Sequence, residues 1–341
     1  MFECTEVTIA EFLRGTGRVP ASADVRCREL GGGVSNAVFL VEPQGLPAFV
    51  LKQSRAQLRT ELAWFSRLDR VRNEVEAIRL LDAALPPGVV PALLFEDREH
   101  HLFAMSCAPA DSEPWKGRLL RGEADIGRAV EAGRILGRMH AIPADSPALL
   151  APPLADRTVF DQLRIDPYYR QLARVHFDLR GRLDALTGGL ADPAERTFVH
   201  ADYSPKNMLA HAGGFTVVDF ETAHAGDPAF DIGFFLSHLI LKAFRAARLG
   251  QETAEALARI DSFWEGYLGQ AGGRIDDDRA RRGAAHAAAC CLARVDGKSP
   301  VDYRAQLDED AVRRFAREAL HDEALDWPSL RERVGRCAQT A

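Results

Sequence analysis

The sequence lacks the features of membrane-spanning and secreted proteins. Its most apolar run, residues 234–244, is interrupted by Ser237, His238 and Lys242, and it is much shorter than the ~20 apolar residues that a transmembrane helix needs. The first six residues include two acidic side chains and no apolar stretch, so no secretory signal is predicted. The sequence also contains no internal repeat and no low-complexity tract. These absences favour a folded, soluble protein.

Cysteine is scarce, and neither sign of charge dominates. The six cysteines form no CxxC pair, so neither a zinc ribbon nor a disulfide framework is indicated, and a reducing cytoplasm is the expected location. Lysine and arginine number 43 against 49 acidic residues, for a net charge of −6. This balance gives no general reason to bind nucleic acid or an anionic membrane. Any phosphate-binding site must therefore be local.

The order of apolar patterns predicts two domains of different character. The 341 residues are 47% hydrophobic, which is enough for a sizeable core. Short strand-like runs occur at 25–30, 37–41, 48–51, 92–95 and 102–105, and helical spacing is found at 70–85. Residues 109–122 are predicted to connect the two halves. Beyond them the pattern is mainly helical, at 126–141, 170–186, 230–247, 254–268, 279–293 and 308–320. The prediction is an α+β fold, with a small antiparallel sheet and one helix in residues 1–107 and a larger helical domain in residues 108–341.

Polar side chains are concentrated in a loop-rich segment in the middle of the helical half. Asp202 follows His200 by two residues, Asn207 comes five residues later, and Asp219 follows a short apolar strand. Phosphoryl transfer from ATP needs oxygen ligands for Mg²⁺ and a carboxylate that orients the attacking hydroxyl. Taken singly, these residues are better explained by a turn hydrogen bond between His200 and Asp202 and by a helix cap from Asp219. The three spacings together favour catalysis, with Asp202 orienting the nucleophile and Asn207 and Asp219 holding the metal.

The motifs HADYSPKN, VVDFE and AGDPAFDIGFFL resemble the catalytic core of the superfamily of aminoglycoside phosphotransferases, choline kinases and methylthioribose kinases. The resemblance extends over most of the chain. It implies a two-lobed fold similar to that of protein kinases, with Asp202 as catalytic base and Asn207 and Asp219 as ligands of Mg²⁺. It further implies that Asp231 braces the catalytic loop by accepting backbone hydrogen bonds, and His200 is expected to have a structural role.

The first hundred residues contain the parts that an ATP site needs. Gly31, Gly32 and Gly33, with Ser35 and Asn36, join two predicted strands, and residues without Cβ let backbone N–H groups approach a phosphate. A plain hairpin turn explains these glycines equally well. Lys52, at a strand end, matches the phosphate-contacting lysine of the kinase-like fold, and Glu74 matches its acidic partner. By the same analogy the adenine is expected at Ser106, Cys107 and Ala108.

Two clusters are candidates for binding the phosphate acceptor. The first, within residues 160–170, contains Asp166, Tyr168 and Arg170; the second, within residues 294–300, contains Arg294 and Lys298. Glu221 is a further candidate for a metal or acceptor contact. For the first cluster the competing explanation is aromatic packing, and for the second it is a solvated loop. Within the superfamily the details favour the methylthioribose kinase branch, from whose pattern Asn207 and Phe220 depart.

The predicted function is ATP- and Mg²⁺-dependent transfer of the γ-phosphate to a hydroxyl of a small molecule, of the sugar, amino alcohol or aminoglycoside type. No nucleic acid or membrane partner is expected. The alternative is a catalytically silent, nucleotide-binding regulator, which predicts that at least one of the four key residues is lost. All four are present: Lys52, Asp202, Asn207 and Asp219. A protein kinase is not favoured, because the segment from Asp219 to Gly226 is too short for an activation loop.

Overall fold

The computed structural model describes residues 2–31, 35–59, 65–123, 125–270 and 277–340. Gly32 and Gly33, two of the predicted phosphate-loop residues, lie outside these ranges. Among the helices within the ranges, none has both the length and the apolar character needed to cross a membrane. The architecture is a two-lobed α+β fold.

A five-stranded antiparallel sheet forms the amino-terminal lobe. Its strands are β1 (Val25–Glu29), β2 (Asn36–Pro43), β3 (Phe49–Ser54), β4 (Leu93–Asp97) and β5 (Leu102–Ser106), in the spatial order β1-β2-β3-β5-β4. Two helices accompany it, α1 (Thr8–Gly15) and α2 (Val71–Ala84), and a 3-10 turn, Leu68–Arg70, leads into α2. The strands and helix predicted for this half are present, with bounds shifted by one to three residues.

The pleat of β3 decides which way Lys52 faces. Leu51 packs in a core with residues of α1, whereas Phe103, the cross-strand neighbour of Lys52, belongs to the core that includes α2. Because alternate residues of a strand face opposite sides, Lys52 points towards α2. Helix α2 buries Val75 and Ile78 on this side. It ends before Pro86, where Leu85 is extended, as the residue before a proline prefers.

Helices make up most of the second lobe. They are α3 (Trp115–Leu120), α4 (Ile126–His140), α5 (Pro147–Leu150), α6 (Thr158–Phe160), α7 (Gln171–Val175), α8 (Arg180–Ala191), α9 (Pro228–Arg248), α10 (Thr253–Gln270), α11 (Asp277–Asp296), α12 (Glu309–His321) and α13 (Trp327–Thr340). Helix α9 is buried along most of its length. Helices α4 and α10 approach closely through Gly133 and Gly266, since a Cβ on Gly133 would lie 2.0 Å from the Phe263 carbonyl oxygen.

Short strands between the helices position the catalytic segment. They are β6 (Glu113–Pro114), β7 (Thr197–Val199), β8 (Met208–His211), β9 (Gly214–Val217) and β10 (His224–Gly226). Strands β8 and β9 form an antiparallel hairpin, so the residues just before and just after it lie together. The Val218 N–H donates to the Asn207 carbonyl at 3.0 Å. This bond brings Asn207 next to Asp219.

Two predicted segments differ from the structure. The helix predicted at 170–186 is interrupted between Val175 and Arg180, where His176 leaves helical geometry and its ring contacts Asp296 at 3.0 Å. A tertiary contact therefore overrides the local helical pattern. The segment 109–122, predicted as a connector, instead contains β6 and α3, and the Trp115 side chain is fully buried.

Candidate active site

Asp231 fixes the start of the catalytic loop. Its carboxylate, in the first turn of α9, accepts the His200 N–H at 2.7 Å and the Ala201 N–H at 2.8 Å. Ala201 has a φ of 60°, a left-handed conformation that is unusual for a residue with a side chain. The two hydrogen bonds hold the chain in this turn, and Asp202 follows it directly. Asp231 thus makes the contacts expected from the resemblance.

Two cations and an amide surround the Asp202 carboxylate. Arg164 approaches one oxygen at 2.8 Å and Lys206 the other at 2.9 Å, and the Asn207 amide donates to the second oxygen at 2.8 Å. Burial alone would raise the pKa of Asp202, but Arg164 and Lys206 outweigh it and hold that pKa well below its ordinary value. The carboxylate is therefore ionised at neutral pH. It is suited to accepting a hydrogen bond from a hydroxyl rather than to removing a proton before the transition state.

Asn207 and Asp219 fit the requirements of a Mg²⁺ ion. Asn207 uses its amide nitrogen on the backbone and side chain of Asp202, which leaves its oxygen for another partner. Asp219 has a φ of 74° and offers a second, anionic oxygen donor. In the described ranges no group of three or more His, Cys, Asp or Glu side chains is arranged to hold a metal. Two protein oxygens suit an ion that takes its remaining ligands from substrate phosphates and water.

Lys52 lies between two carboxylates. Its Nζ is 2.7 Å from Glu74 and 2.5 Å from Asp219, whereas Glu76 pairs with Arg79 instead. Burial raises the pKa of Glu74 to about 7 against the opposing effect of Lys52. Asp219, which shares the same lysine, has a pKa below its ordinary value because Lys52 and Lys206 outweigh its burial. The predicted phosphate lysine, its acidic partner and a predicted metal ligand thus meet at one point.

Glu221 joins the amino-terminal sheet to the second lobe. Its carboxylate accepts hydrogen bonds from Ser35 at 2.5 Å, from Asn36 at 2.8 Å and from Arg70 at 2.9 Å. Arg70 is fully buried and also donates to the carbonyls of Arg55, Arg67 and Ser35. Three residues that the sequence suggested for nucleotide or acceptor binding therefore form one cluster with Arg70. Gly31 lies at the exposed end of the same β1–β2 hairpin.

At the predicted adenine site, Ser106 is engaged with the neighbouring strand. Its N–H donates to the Ala92 carbonyl at 2.8 Å, and its hydroxyl accepts the Ala92 N–H at 2.9 Å. The Ser106 N–H is thus not available to a base, and the Ser106 carbonyl and the backbone groups of Cys107 and Ala108 stay candidates. Burial raises the pKa of the half-buried Cys107 thiol.

The structure brings some of the predicted acceptor residues together and separates others. The Arg294 guanidinium lies 5.3 Å from the centre of the Tyr168 ring, and Lys298 pairs with Asp166 at 2.6 Å. The Lys298 N–H donates to the carbonyl of Pro167, so the two predicted clusters adjoin. Arg170 instead forms an ion pair with Asp161 in which both side chains are about half exposed.

Three residues of the site were not assigned a role from the sequence. Lys206 stands inside the HADYSPKN motif, and its spacing of four from Asp202 was a usable signal. Arg164 lies within the segment chosen for acceptor binding, but nothing in the sequence indicates that it reaches Asp202. Arg70 is one of several arginines near the start of α2, so the sequence does not distinguish it.

These groups, placed where a small antiparallel sheet meets a helical lobe, define a small-molecule kinase with a protein-kinase-like fold. Residues 26–263 match the model of the phosphotransferase enzyme family (APH), and the chain belongs to this family.

Three comparisons illustrate the relationship. The chain is 25% identical to a methylthioribose kinase of Bacillus velezensis over 294 residues, which cover 78% of this chain and 73% of the relative. Among solved structures, it is similar to a choline/ethanolamine kinase family protein from Mesorhizobium loti, with a TM-score of 0.58, 18% identity and coverage of 98% and 100%. It is also similar to APH(2″)-IIa in a streptomycin–ATP complex, with a TM-score of 0.52, 13% identity and coverage of 86% and 91%. The predicted activity, ATP-dependent phosphotransfer to a small molecule, is thereby confirmed.

Proposed function

We propose that the protein transfers the γ-phosphoryl group of Mg²⁺-bound ATP to a hydroxyl of a small molecule, with Asp202 as the residue that orients the hydroxyl. The arrangement of Asp202, Asn207 and Asp219 around the β8–β9 hairpin carries this proposal. In the reaction the bond from the γ-phosphorus to the bridging oxygen breaks and releases ADP. A new bond forms from phosphorus to the acceptor oxygen, and the hydroxyl proton passes to Asp202 and then to solvent.

Each described side chain has a task in this proposal. Asn207 and Asp219 would hold Mg²⁺, which neutralises phosphate charge when bound. Lys52, held in place by Glu74, would bring its positive charge into contact with the α- and β-phosphates. Lys206, whose side chain is 45% exposed, keeps positive charge beside Asp202, where the acceptor and the transferred group are expected. Residues 1–107 would then be the nucleotide lobe and residues 108–341 the catalytic and acceptor lobe, and a cytoplasmic location stays a prediction.

The test is a coupled ADP-release screen over sugars, sugar acids, amino alcohols and aminoglycosides, with the product phosphate located by NMR. Wild-type protein is expected to turn over at least one hydroxylated compound only when Mg²⁺ is present. Asp219→Asn is expected to weaken Mg²⁺-dependent ATP binding, because it removes an anionic ligand. ATP binding that is unchanged in this variant and independent of Mg²⁺ would contradict the metal assignment. A silent regulator would bind ATP without transferring phosphate to any compound.

A further inference from the structure

A buried group of cationic and polar side chains lies on α9, α11 and the turn beyond them. We call this group the basic cluster; it consists of His238, Lys242, Arg294 and Tyr303. Their exposed fractions are 7%, 6%, 8% and 5%, respectively. Arg294 lies 3.4 Å from the Nε2 atom of His238, and Lys242 donates to the His238 carbonyl at 3.1 Å. The Lys242 ammonium lies 5.5 Å from the centre of the Tyr303 ring.

Two polar atoms of the basic cluster are buried without a partner. Among the residues that the structure describes, neither the Nε atom of Arg294 nor the hydroxyl of Tyr303 has a hydrogen-bond partner. Most buried polar groups in proteins are paired, and an unpaired one costs free energy. Two such donors, on side chains that are more than nine-tenths buried, are therefore available to a ligand.

The charge of the basic cluster is also uncompensated. Within the part of the chain that the structure describes, neither Arg294 nor Lys242 forms an ion pair with a carboxylate. The neighbouring acids are used elsewhere, since Asp302 pairs with Lys116 and Asp166 with Lys298, each at 2.6 Å. Burial and Arg294 hold the pKa of His238 well below its ordinary value, so this neighbour is a neutral imidazole. Buried charges without counterions are costly. An anion bound here would offset this cost at Arg294 and would favour the protonated form of Lys242.

Two contacts connect the basic cluster with the catalytic loop. The guanidinium groups of Arg164 and Arg294 lie 5.4 Å and 5.7 Å from the centre of the Phe234 ring, and Arg164 holds Asp202. On the other side, the Lys116 N–H donates to the Pro205 carbonyl at 2.9 Å. Lys116 pairs with Asp302, the residue before Tyr303. The basic cluster thus adjoins the residues that would orient the acceptor hydroxyl.

We propose that the acceptor carries an anionic group, a carboxylate or a phosphate monoester, which binds Arg294, Lys242 and Tyr303 while its hydroxyl reaches Asp202. This inference rests on the proposed function, because it concerns the acceptor of the same site. Arginine binds both anions through charge-assisted hydrogen bonds, and the tyrosine hydroxyl donates one more. A cationic acceptor would meet like charge here, so amino alcohols and aminoglycosides are disfavoured.

The first experiment measures binding, and it needs no turnover. Wild-type protein saturated with Mg²⁺ and a non-hydrolysable ATP analogue is titrated with D-gluconate, D-glucose 6-phosphate, D-glucose and choline. The two anionic probes are expected to bind at least 10-fold more tightly than glucose or choline, and the stronger of the two identifies the source of the charge. Equal or weaker binding of both anionic probes would overturn the inference.

Variants distinguish a ligand site from a structural cluster. Arg294→Gln is expected to weaken anion binding ~10- to 150-fold, the range for loss of one charge-assisted hydrogen bond. Tyr303→Phe removes only a hydroxyl that has no partner in the described ranges, so the protein is expected to keep its thermal stability while anion affinity falls several-fold. Arg98→Gln, at an exposed arginine that pairs with Glu96 in the amino-terminal lobe, is the matched control and is expected to change nothing. Unchanged anion affinity in both Arg294→Gln and Tyr303→Phe would overturn the inference.

The same probes in the ADP-release assay separate this inference from the proposed function. Absence of phosphoryl transfer to every compound, together with Arg294-dependent anion binding, would reject the function and keep the anion site. Efficient transfer to a neutral or cationic acceptor, with an acceptor KM unchanged in Arg294→Gln, would reject the anion site and keep the function. Transfer to an anionic acceptor, with a raised acceptor KM and an unchanged ATP KM in that variant, supports both.

Discussion

Arg164 and Asp202 form a buried ion pair at 2.8 Å, and the same guanidinium donates to the Ala201 carbonyl at 2.5 Å. Arg164 therefore fixes both the charge and the backbone of the residue that we propose orients the acceptor. It comes from an irregular, π-helical segment, Asp161–Arg170, that contains Pro167. The segment chosen from the sequence for acceptor binding thus also supports the catalytic carboxylate.

Removing this support is expected to slow phosphoryl transfer without affecting nucleotide binding. In Arg164→Gln, we expect kcat to fall ~10- to 100-fold, because one charge-assisted hydrogen bond to the catalytic carboxylate is lost. The KM for ATP is expected to stay the same, since the described polar contacts of Arg164 are with Asp202, Ala201 and Leu163, whereas Lys52 is held by Glu74 and Asp219. Steady-state kinetics beside the Arg98→Gln control check this. A wild-type kcat in Arg164→Gln would show that Asp202 needs no such partner.

The buried pair of Arg70 and Glu221 is expected to stabilise the junction between the lobes. Removing one partner of a buried pair typically costs ~3–5 kcal/mol, because the other charge is left uncompensated. We expect Arg70→Met and Glu221→Gln each to lower the free energy of unfolding, and the double variant to lose less than the sum, by ~0.5–3 kcal/mol. Urea unfolding of the four proteins measures this coupling.

The exposed pair of Arg170 and Asp161 provides the control for this cycle. Exposed pairs contribute ~0–1 kcal/mol, so the corresponding coupling is expected to be small. A coupling energy between Arg70 and Glu221 that is no larger than that of the exposed pair would show that the contact between the lobes is energetically unimportant.

Lys242 is expected to make stability depend on pH. Burial lowers its pKa from 10.5 to about 7, and Lys116 adds to the effect. Between pH 7 and pH 10.5 the unfolded chain binds a proton at Lys242 that the folded chain does not bind. The contribution of Lys242 to the free energy of unfolding therefore rises with pH over this range. Below pH 7 the folded protein holds the buried charge, and the full destabilisation by Lys242 applies. Lys242→Met removes the penalty. The charged and titratable groups facing Lys242 are Lys116, His238, Arg259, Arg294, Asp302 and Tyr303.

Urea unfolding at pH 6 and pH 9 measures this difference. The advantage of Lys242→Met over wild type is expected to be larger at pH 6, by ~3 kcal/mol, because the penalty falls over the two pH units between 7 and 9 and each unit corresponds to about 1.4 kcal/mol. The packing effect of the substitution is the same at both pH values and cancels in the comparison. An advantage that does not change with pH would contradict the lowered pKa.

Much of the fold followed from local pattern. Alternation and turn residues located the strands of the sheet, and apolar spacing located α2 and the long helices α4, α9, α10 and α11. The pattern failed at His176, where a contact with Asp296 breaks the helix, and at Trp115, where burial turns an expected connector into part of the core. In both places a contact distant in sequence decides the local structure.

The same contrast between local pattern and distant contacts is found at the site. Asp202, Asn207 and Asp219 were recognisable because they lie within one short segment with fixed spacing. Arg164 and Arg70 were not, because their partners lie 38 and 151 residues away, and nothing local distinguishes them from other arginines. Glu221 looked like a metal or acceptor contact from its place after Asp219, but its carboxylate is occupied by Arg70, Asn36 and Ser35.

Single-turnover phosphoryl transfer by Asp202→Asn tests the central claim most directly. The substitution keeps the shape of the side chain and removes the charge that would orient the acceptor hydroxyl. It is therefore expected to weaken stabilisation of the transition state and not the binding of ATP. The account predicts a rate lowered by ~10²-fold or more, with Mg²⁺–ATP affinity unchanged by calorimetry. A transfer rate equal to that of wild type would contradict the assignment of Asp202.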